Sequence, residues 1–140
     1  MSPSSHVLRI LVVEDEPDIR DLLVAGLAEE GPAEVEAAAD GEEALRLLER
    51  GPRPSVILLD LRMPVLSGEG VLRALEEQPG HPPVVTMSAC TRMAPRGAAG
   101  HLDKPFSIRE ALSALRRVCV QTGALHSELP PGALPASPLA

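Results

Sequence analysis

The stretch Val56-Ile57-Leu58-Leu59-Asp60-Leu61-Arg62-Met63-Pro64 constrains this chain more than any other. Four large apolar residues, two of them β-branched, end abruptly on a carboxylate. A run so short and so apolar reads as a strand buried on both faces, the kind found in parallel sheets. Asp60 then stands at the carboxyl end of that strand, the edge of an open α/β sheet where ligands bind. Met63-Pro64 and Ser67-Gly68 favour a loop over a longer strand. Taken alone, Asp60 is equally well a polar strand stop or a helix cap.

The same pattern recurs along the chain. Residues 7–13 form a second apolar run, which ends on Glu14-Asp15-Glu16-Pro17. Pro17 suits the first turn of a helix. Ile19, Leu22, Leu23 and Leu27 follow at helical spacing, with Asp18, Arg20 and Asp21 on the other face, and Gly31-Pro32 stops the helix. Residues 34–39 are a weaker strand. Asp40-Gly41 turns or caps into an amphipathic helix over 42–50, acidic at its start and closed by Gly51-Pro52. After the Asp60 strand, residues 68–77 make a third helix with Val71, Leu72 and Leu75 inward. Residues 83–88 are a short strand ending on Ser88. Between Cys90 and Gly100, the residues Pro95 and Gly97 leave room for about one helical turn. His101-Leu102-Asp103 is a minimal fifth strand, followed by the loop Lys104-Pro105-Phe106. Ser107-Ile108-Arg109-Glu110 is a capping box that opens a final helix with Ile108, Leu112, Leu115 and Cys119 on one face.

Strands alternating with helices predict an α/β fold: a doubly wound, five-stranded parallel sheet covered on both sides. The expected divisions are a disordered N-terminus (1–6), one folded domain (7–120) and a Pro-rich flexible tail (121–140). With one Phe and no Trp or Tyr, the core must be aliphatic. A net charge of −7 argues against a surface held on nucleic-acid phosphates. Cys90 and Cys119 form neither a disulfide framework nor a metal-ligand spacing. With no signal-peptide pattern and no apolar run near membrane length, the expectation is a cytoplasmic protein without membrane contact.

In a parallel sheet all strands end on one edge. Here that edge collects Glu14, Asp15, Asp60, Ser88 and Lys104, the last being the sole lysine of the chain. Singly, these residues read as an acidic helix start, a strand stop, a loop serine and a surface charge. Together they make chemical sense. Clustered carboxylates are relieved by a hard divalent cation, whose natural ligands are carboxylate, carbonyl and water oxygens. A lysine offsets remaining charge and a hydroxyl donates to an anionic oxygen. These are the parts that phosphoryl transfer needs.

Residues 7–120 resemble the receiver domain of bacterial two-component response regulators. The resemblance rests on five motifs in order: Leu11-Val12-Val13-Glu14-Asp15-Glu16; Asp40-Gly41-Glu42-Glu43-Ala44-Leu45; Leu58-Leu59-Asp60-Leu61-Arg62-Met63-Pro64 with Ser67-Gly68; Ser88-Ala89; and Lys104-Pro105-Phe106. It implies a flavodoxin-like, CheY-like three-layer sandwich with strand order 2-1-3-4-5. It implies that Asp60 accepts a phosphoryl group from a sensor histidine kinase or a histidine phosphotransfer protein. Mg²⁺ (or Mn²⁺) would be held by Asp15, Asp60 and the Arg62 backbone carbonyl, with Glu14 acting through water. Lys104 would pair with Asp60 and then with the phosphoryl oxygens. Ser88 would hydrogen-bond the phosphoryl group and, with His101, act as the switch. Arg62 and Cys90 stand where phosphoryl lifetime is tuned. The Lys104–Pro105 bond would be cis. Such a chain catalyses only its own phosphorylation and dephosphorylation, and signals through a protein effector.

Two departures stand out. His101 occupies a place where the family commonly carries Tyr or Phe, and imidazole adds a pH-dependent charge. The segment between Ser88 and His101 is short, so the fourth helix of the family is expected to be shortened or lost. These features support an alternative, a pseudo-receiver that binds partners without phosphorylation; the intact Asp60, Asp15, Lys104 and Ser88 count against it. An aspartyl phosphatase would need a general acid at Arg62, which arginine cannot be. No Gly-rich Lys-Ser/Thr loop supports a nucleotide hydrolase, and no motif supports DNA binding.

Overall fold

The computed structural model describes residues 7–63, 66–89 and 95–123. In chain order the elements are β1 (Leu8–Val13), α1 (Pro17–Glu30), β2 (Ala33–Ala38), α2 (Gly41–Arg50), β3 (Val56–Asp60), α3 (Gly68–Glu76), β4 (Val84–Ser88), β5 (Gly100–Asp103) and α4 (Ile108–Thr122). The five strands form one sheet in the order β2-β1-β3-β4-β5, all pairs parallel. The expected doubly wound sheet is present, with β3 at its centre and every residue of β3 buried.

Alternation along the strands divides the core into two layers. Ile10 and Val12 of β1, Val56 and Leu58 of β3, and Val85 and Met87 of β4 face one layer. There they meet Leu23 and Leu27 of α1 and Leu112, Leu115, Val118 and Cys119 of α4. Leu11, Val13, Ile57, Leu59 and Val84 face the other layer, against Ala44 of α2 and Val71, Leu72 and Leu75 of α3. An almost purely aliphatic composition suffices because branched side chains from a central strand interlock with helices on both sides.

The helix ends follow local chemistry. Asp40 caps α2 by accepting from the Glu43 N–H at 2.8 Å. Ser67 caps α3 through the Gly70 N–H at 3.1 Å. Ser107 and Glu110 form the predicted capping box of α4, with bonds of 3.0 and 2.9 Å. Gly123 closes α4 in the left-handed region, φ 80°, so helix continues two residues beyond the expected domain end at 120.

One expectation about α1 fails. Ile19 and Leu22 do not share the buried face of Leu23 and Leu27; Leu22 is 64% exposed. At 3.6 residues per turn Leu22 lies about 100° around the helix from Leu23, outside the stripe that meets the sheet. Ile19, in the first turn, is 36% exposed.

Among the described residues no helix lies between β4 and β5. The chain there makes a turn in which the Ala98 N–H bonds the Pro95 carbonyl at 3.2 Å, and Gly97 has φ 95°. The four described helices accord with the expected shortening or loss of a fourth helix before β5. Cys90 and Pro64, the N-terminal segment 1–6 and residues 124–140 lie outside the described residues. No described helix is long and apolar enough to cross a membrane.

Candidate functional site: an acidic pocket on the sheet edge

The carboxyl ends of β1 and β3 sit side by side, with Val13 paired to Leu59. The next residues out are therefore Glu14 and Asp60, and both are buried, at 1% and 3% exposure. Asp15, half-buried, completes the group. Oxygens from Glu14, Asp15 and Asp60 lie within 4.8 Å of one another. Sequence reasoning named all three, and the fold brings them together.

Glu14 is fixed at both carboxylate oxygens. Oε2 accepts from the Glu16 N–H at 3.1 Å, and Oε1 lies 3.3 Å from Lys104 Nζ. Burial pushes the Glu14 carboxyl above the ordinary carboxylate range, and the nearby Asp60 charge adds to that; the Glu16 N–H and Lys104 oppose it. Asp60 Oδ1 accepts from the Arg62 N–H at 3.1 Å, while Oδ2 lies 3.7 Å from Lys104 Nζ. Lys104 thus bridges the two buried carboxylates and stands nearer to Glu14 than to Asp60. Its own backbone is pinned to β4 by the bond from Lys104 N–H to the Ser88 carbonyl, 2.9 Å, and the Lys104–Pro105 peptide is cis as expected.

The donor set fits a hard divalent cation. Three carboxylates converge against one ammonium, so the pocket keeps an excess of negative charge and an all-oxygen lining. Ser88 ends β4, buried, next to the loop that carries Lys104. The Arg62 side chain is exposed beside the pocket, while its N–H holds Asp60.

His101 lies on β5 with its ring turned inward, 12% exposed. Nδ1 is 2.6 Å from Thr86 Oγ1, and Nε2 is 3.4 Å from Asp103 Oδ1. Thr86 Oγ1 also lies 3.3 Å from the Gly100 carbonyl. Thr86 was not anticipated from sequence. It is a fully buried hydroxyl inside an apolar strand, two residues before Ser88 and so on the same face of the sheet. A polar residue within a buried strand run was the available signal.

Close approach of the backbone also shapes the pocket. A Cβ on Gly68 would come within 2.6 Å of the Asp60 carbonyl oxygen and 2.7 Å of Leu61 Cα. Only glycine lets the start of α3 close over the loop that leaves β3.

A parallel 2-1-3-4-5 sheet with three carboxylates and a lysine on its carboxyl edge defines the receiver class of α/β proteins. Residues 10–116 match the response regulator receiver domain family, and the chain belongs to it. Among curated relatives, the transcriptional regulatory protein PrrA of Mycobacterium leprae is 38% identical over 122 residues, covering 83% of this chain and 52% of that protein. The chain thus spans about half the length of that relative. The receiver domain of the Francisella response regulator 1452 superposes with TM-score 0.74 at 30% identity, covering 82% of this chain and 98% of the other. The response regulator TrrA of Thermotoga maritima, solved in complex with Mg²⁺-BeF, gives TM-score 0.71 at 31% identity over 79% of this chain and 98% of the other.

Proposed function

We propose that the chain is a phosphoacceptor that takes a phosphoryl group on Asp60 from a sensor histidine kinase or a histidine phosphotransfer protein. The observation that carries this reading is the convergence of Glu14, Asp15 and Asp60 within 4.8 Å, with Lys104 Nζ on Glu14 and Asp60. An oxygen of Asp60 attacks phosphorus, the phosphorus–nitrogen bond of the donor breaks, and the imidazole leaves. Asp15, Asp60 and the Arg62 carbonyl would hold Mg²⁺ or Mn²⁺, with Glu14 acting through water. When bound, the ion would supply positive charge to offset that of the phosphoryl oxygens. A solved relative in complex with Mg²⁺-BeF supports the choice of ion.

The residues of the chain divide the remaining work. The Arg62 N–H fixes the orientation of the Asp60 carboxylate. Lys104 moves from the carboxylates to the new phosphoryl oxygens, and Ser88 donates to them from the end of β4. Phosphorylation adds about 1.5 to 2 negative charges at neutral pH. That charge recruits Ser88 and Lys104, whose backbones are tied together. His101, held by Thr86, is the switch residue through which β4 reports the change to the surface. Arg62, exposed at the pocket mouth, and Cys90 tune the lifetime of the acyl phosphate. The output is a protein-binding surface. We assign the chain to the cytoplasm, and assign no nucleic-acid or membrane contact to residues 7–120. The net charge of −7 over the whole chain supports the absence of nucleic-acid contact.

Intact mass after incubation with Mg²⁺ and acetyl phosphate tests the reading, beside Asp60→Asn. One added phosphoryl group on the wild type and none on the variant is the expected result. Donor consumed without an adduct means rapid turnover at Asp60. Neither adduct nor turnover in a folded chain sinks the proposal in favour of the pseudo-receiver.

A further inference from the structure

Arg20 breaks a local rule. It stands one turn into α1, where the positive end of the helix dipole disfavours a cation. Its direction explains the placement. Arg20 lies about 20° around the helix from the buried Leu27, so it points toward the sheet rather than to solvent. From there Nη1 donates to the Glu14 carbonyl at 3.0 Å, with the Asp15 carbonyl at 3.5 Å.

These two carbonyls belong to the residues that supply two of the three clustered carboxylates. The junction from β1 to α1 has few other fasteners. The N-cap Glu16 makes no side-chain cap, and its backbone N–H donates to Glu14 Oε2. The Glu14 N–H is held by the Ala38 carbonyl at 3.1 Å. Glu14 is therefore held through its N–H by β2 and through its carbonyl by the Arg20 guanidinium. Both contacts come from the single nitrogen Nη1, whose two N–H bonds lie in the fixed plane of the guanidinium, whereas an ammonium on a flexible stem imposes no such directions.

We infer that Arg20 is a positioning residue: by clamping the Glu14 and Asp15 carbonyls it sets the directions of both carboxylates and makes the pocket selective for a small, geometrically strict cation. The inference rests on the reading of the pocket as a divalent-cation site. Mg²⁺ demands near-octahedral geometry at short distances, whereas Ca²⁺ accepts irregular, longer coordination. Loosening the clamp therefore costs Mg²⁺ more than Ca²⁺. A charge effect has the opposite sign, since removing a cation beside the pocket strengthens the binding of both ions.

Calorimetric titration of the full chain with Mg²⁺ and with Ca²⁺ tests this, for wild type, Arg20→Met and Arg20→Lys. The melting temperature of each is recorded in chelator. Arg20→Met is expected to weaken Mg²⁺ about tenfold, the usual scale for losing a group that orients ligands. Ca²⁺ weakens less, and the metal-free melting temperature holds. Arg20→Lys keeps the charge but not the planar, directed N–H pair of Nη1, and still loses Mg²⁺ over Ca²⁺ preference; it carries the test if Arg20→Met does not fold. An unchanged ratio of affinities, tighter binding of both ions, or an equal loss for both overturns the inference. A wild-type chain that binds neither ion overturns the cation site itself, and the role of Arg20 with it.

Discussion

The core layer around Cys119 sets the chemistry of that thiol. It is fully buried on α4, donates to the Ser55 carbonyl at 3.7 Å, and burial pushes its pKa up to about 11. Thiolate is the reactive form, so Cys119 is inert at ordinary pH. In a Cys90→Ser background, iodoacetamide at pH 8.5 should leave the native chain unlabelled and label it readily in urea. Equal rates in both would contradict the burial. Residues of the acidic pocket were legible because each ends a strand: apolar runs stop at Glu14, Asp60 and Ser88, and a parallel sheet gathers such ends on one edge. Arg20 and Thr86 were not legible in the same way. Arg20 acts through backbone carbonyls, which no side-chain pattern encodes. Thr86 matters because His101 arrives beside it from fifteen residues on, a pairing set by strand register.

At the scale of elements, β3 and the start of α3 carry opposite lessons. Leu58 is fully buried at the centre of the sheet, and Leu58→Ala should cost about 2–5 kcal/mol in urea unfolding, through lost contact and a residual cavity. Gly68→Ala sets two effects against each other. Helix propensity alone would favour alanine by about 1 kcal/mol. The added Cβ would meet backbone at 2.6 and 2.7 Å, on the loop that leaves Asp60. Overpacking costs about 1–3 kcal/mol, so the net sign is destabilising. A more stable Gly68→Ala chain in urea would show that the loop yields freely. The element order and the α3 face were readable from apolar spacing alone. The face of α1 was not, because spacing admits Leu22 as readily as Leu23, and the sheet decides which is covered.

The whole molecule keeps an electrostatic imbalance at one end. Two of its three clustered carboxylates are buried, with Lys104 as their ion-pair partner among the described residues. A cation that binds only the folded state stabilises it by mass action, by about 2.7 kcal/mol at a hundredfold excess over Kd. Mg²⁺ should therefore raise the melting temperature of the wild type by several degrees, and Asp15→Asn should lose most of that rise. A melting temperature indifferent to millimolar Mg²⁺ would count against the cation site. The build of β4 has a mechanical consequence. Its Val85 and Met87 side is packed in hydrocarbon, while the opposite side carries Val84 in hydrocarbon at its start and the hydroxyls of Thr86 and Ser88 toward its tip. Exchanging one hydroxyl partner for another changes free energy by about 1 kcal/mol, whereas peeling two large apolar side chains from their layer costs several. The tip half of the strand is thus built like a leaf spring laminated on one side, softer toward its hydroxyl face than toward its hydrocarbon face.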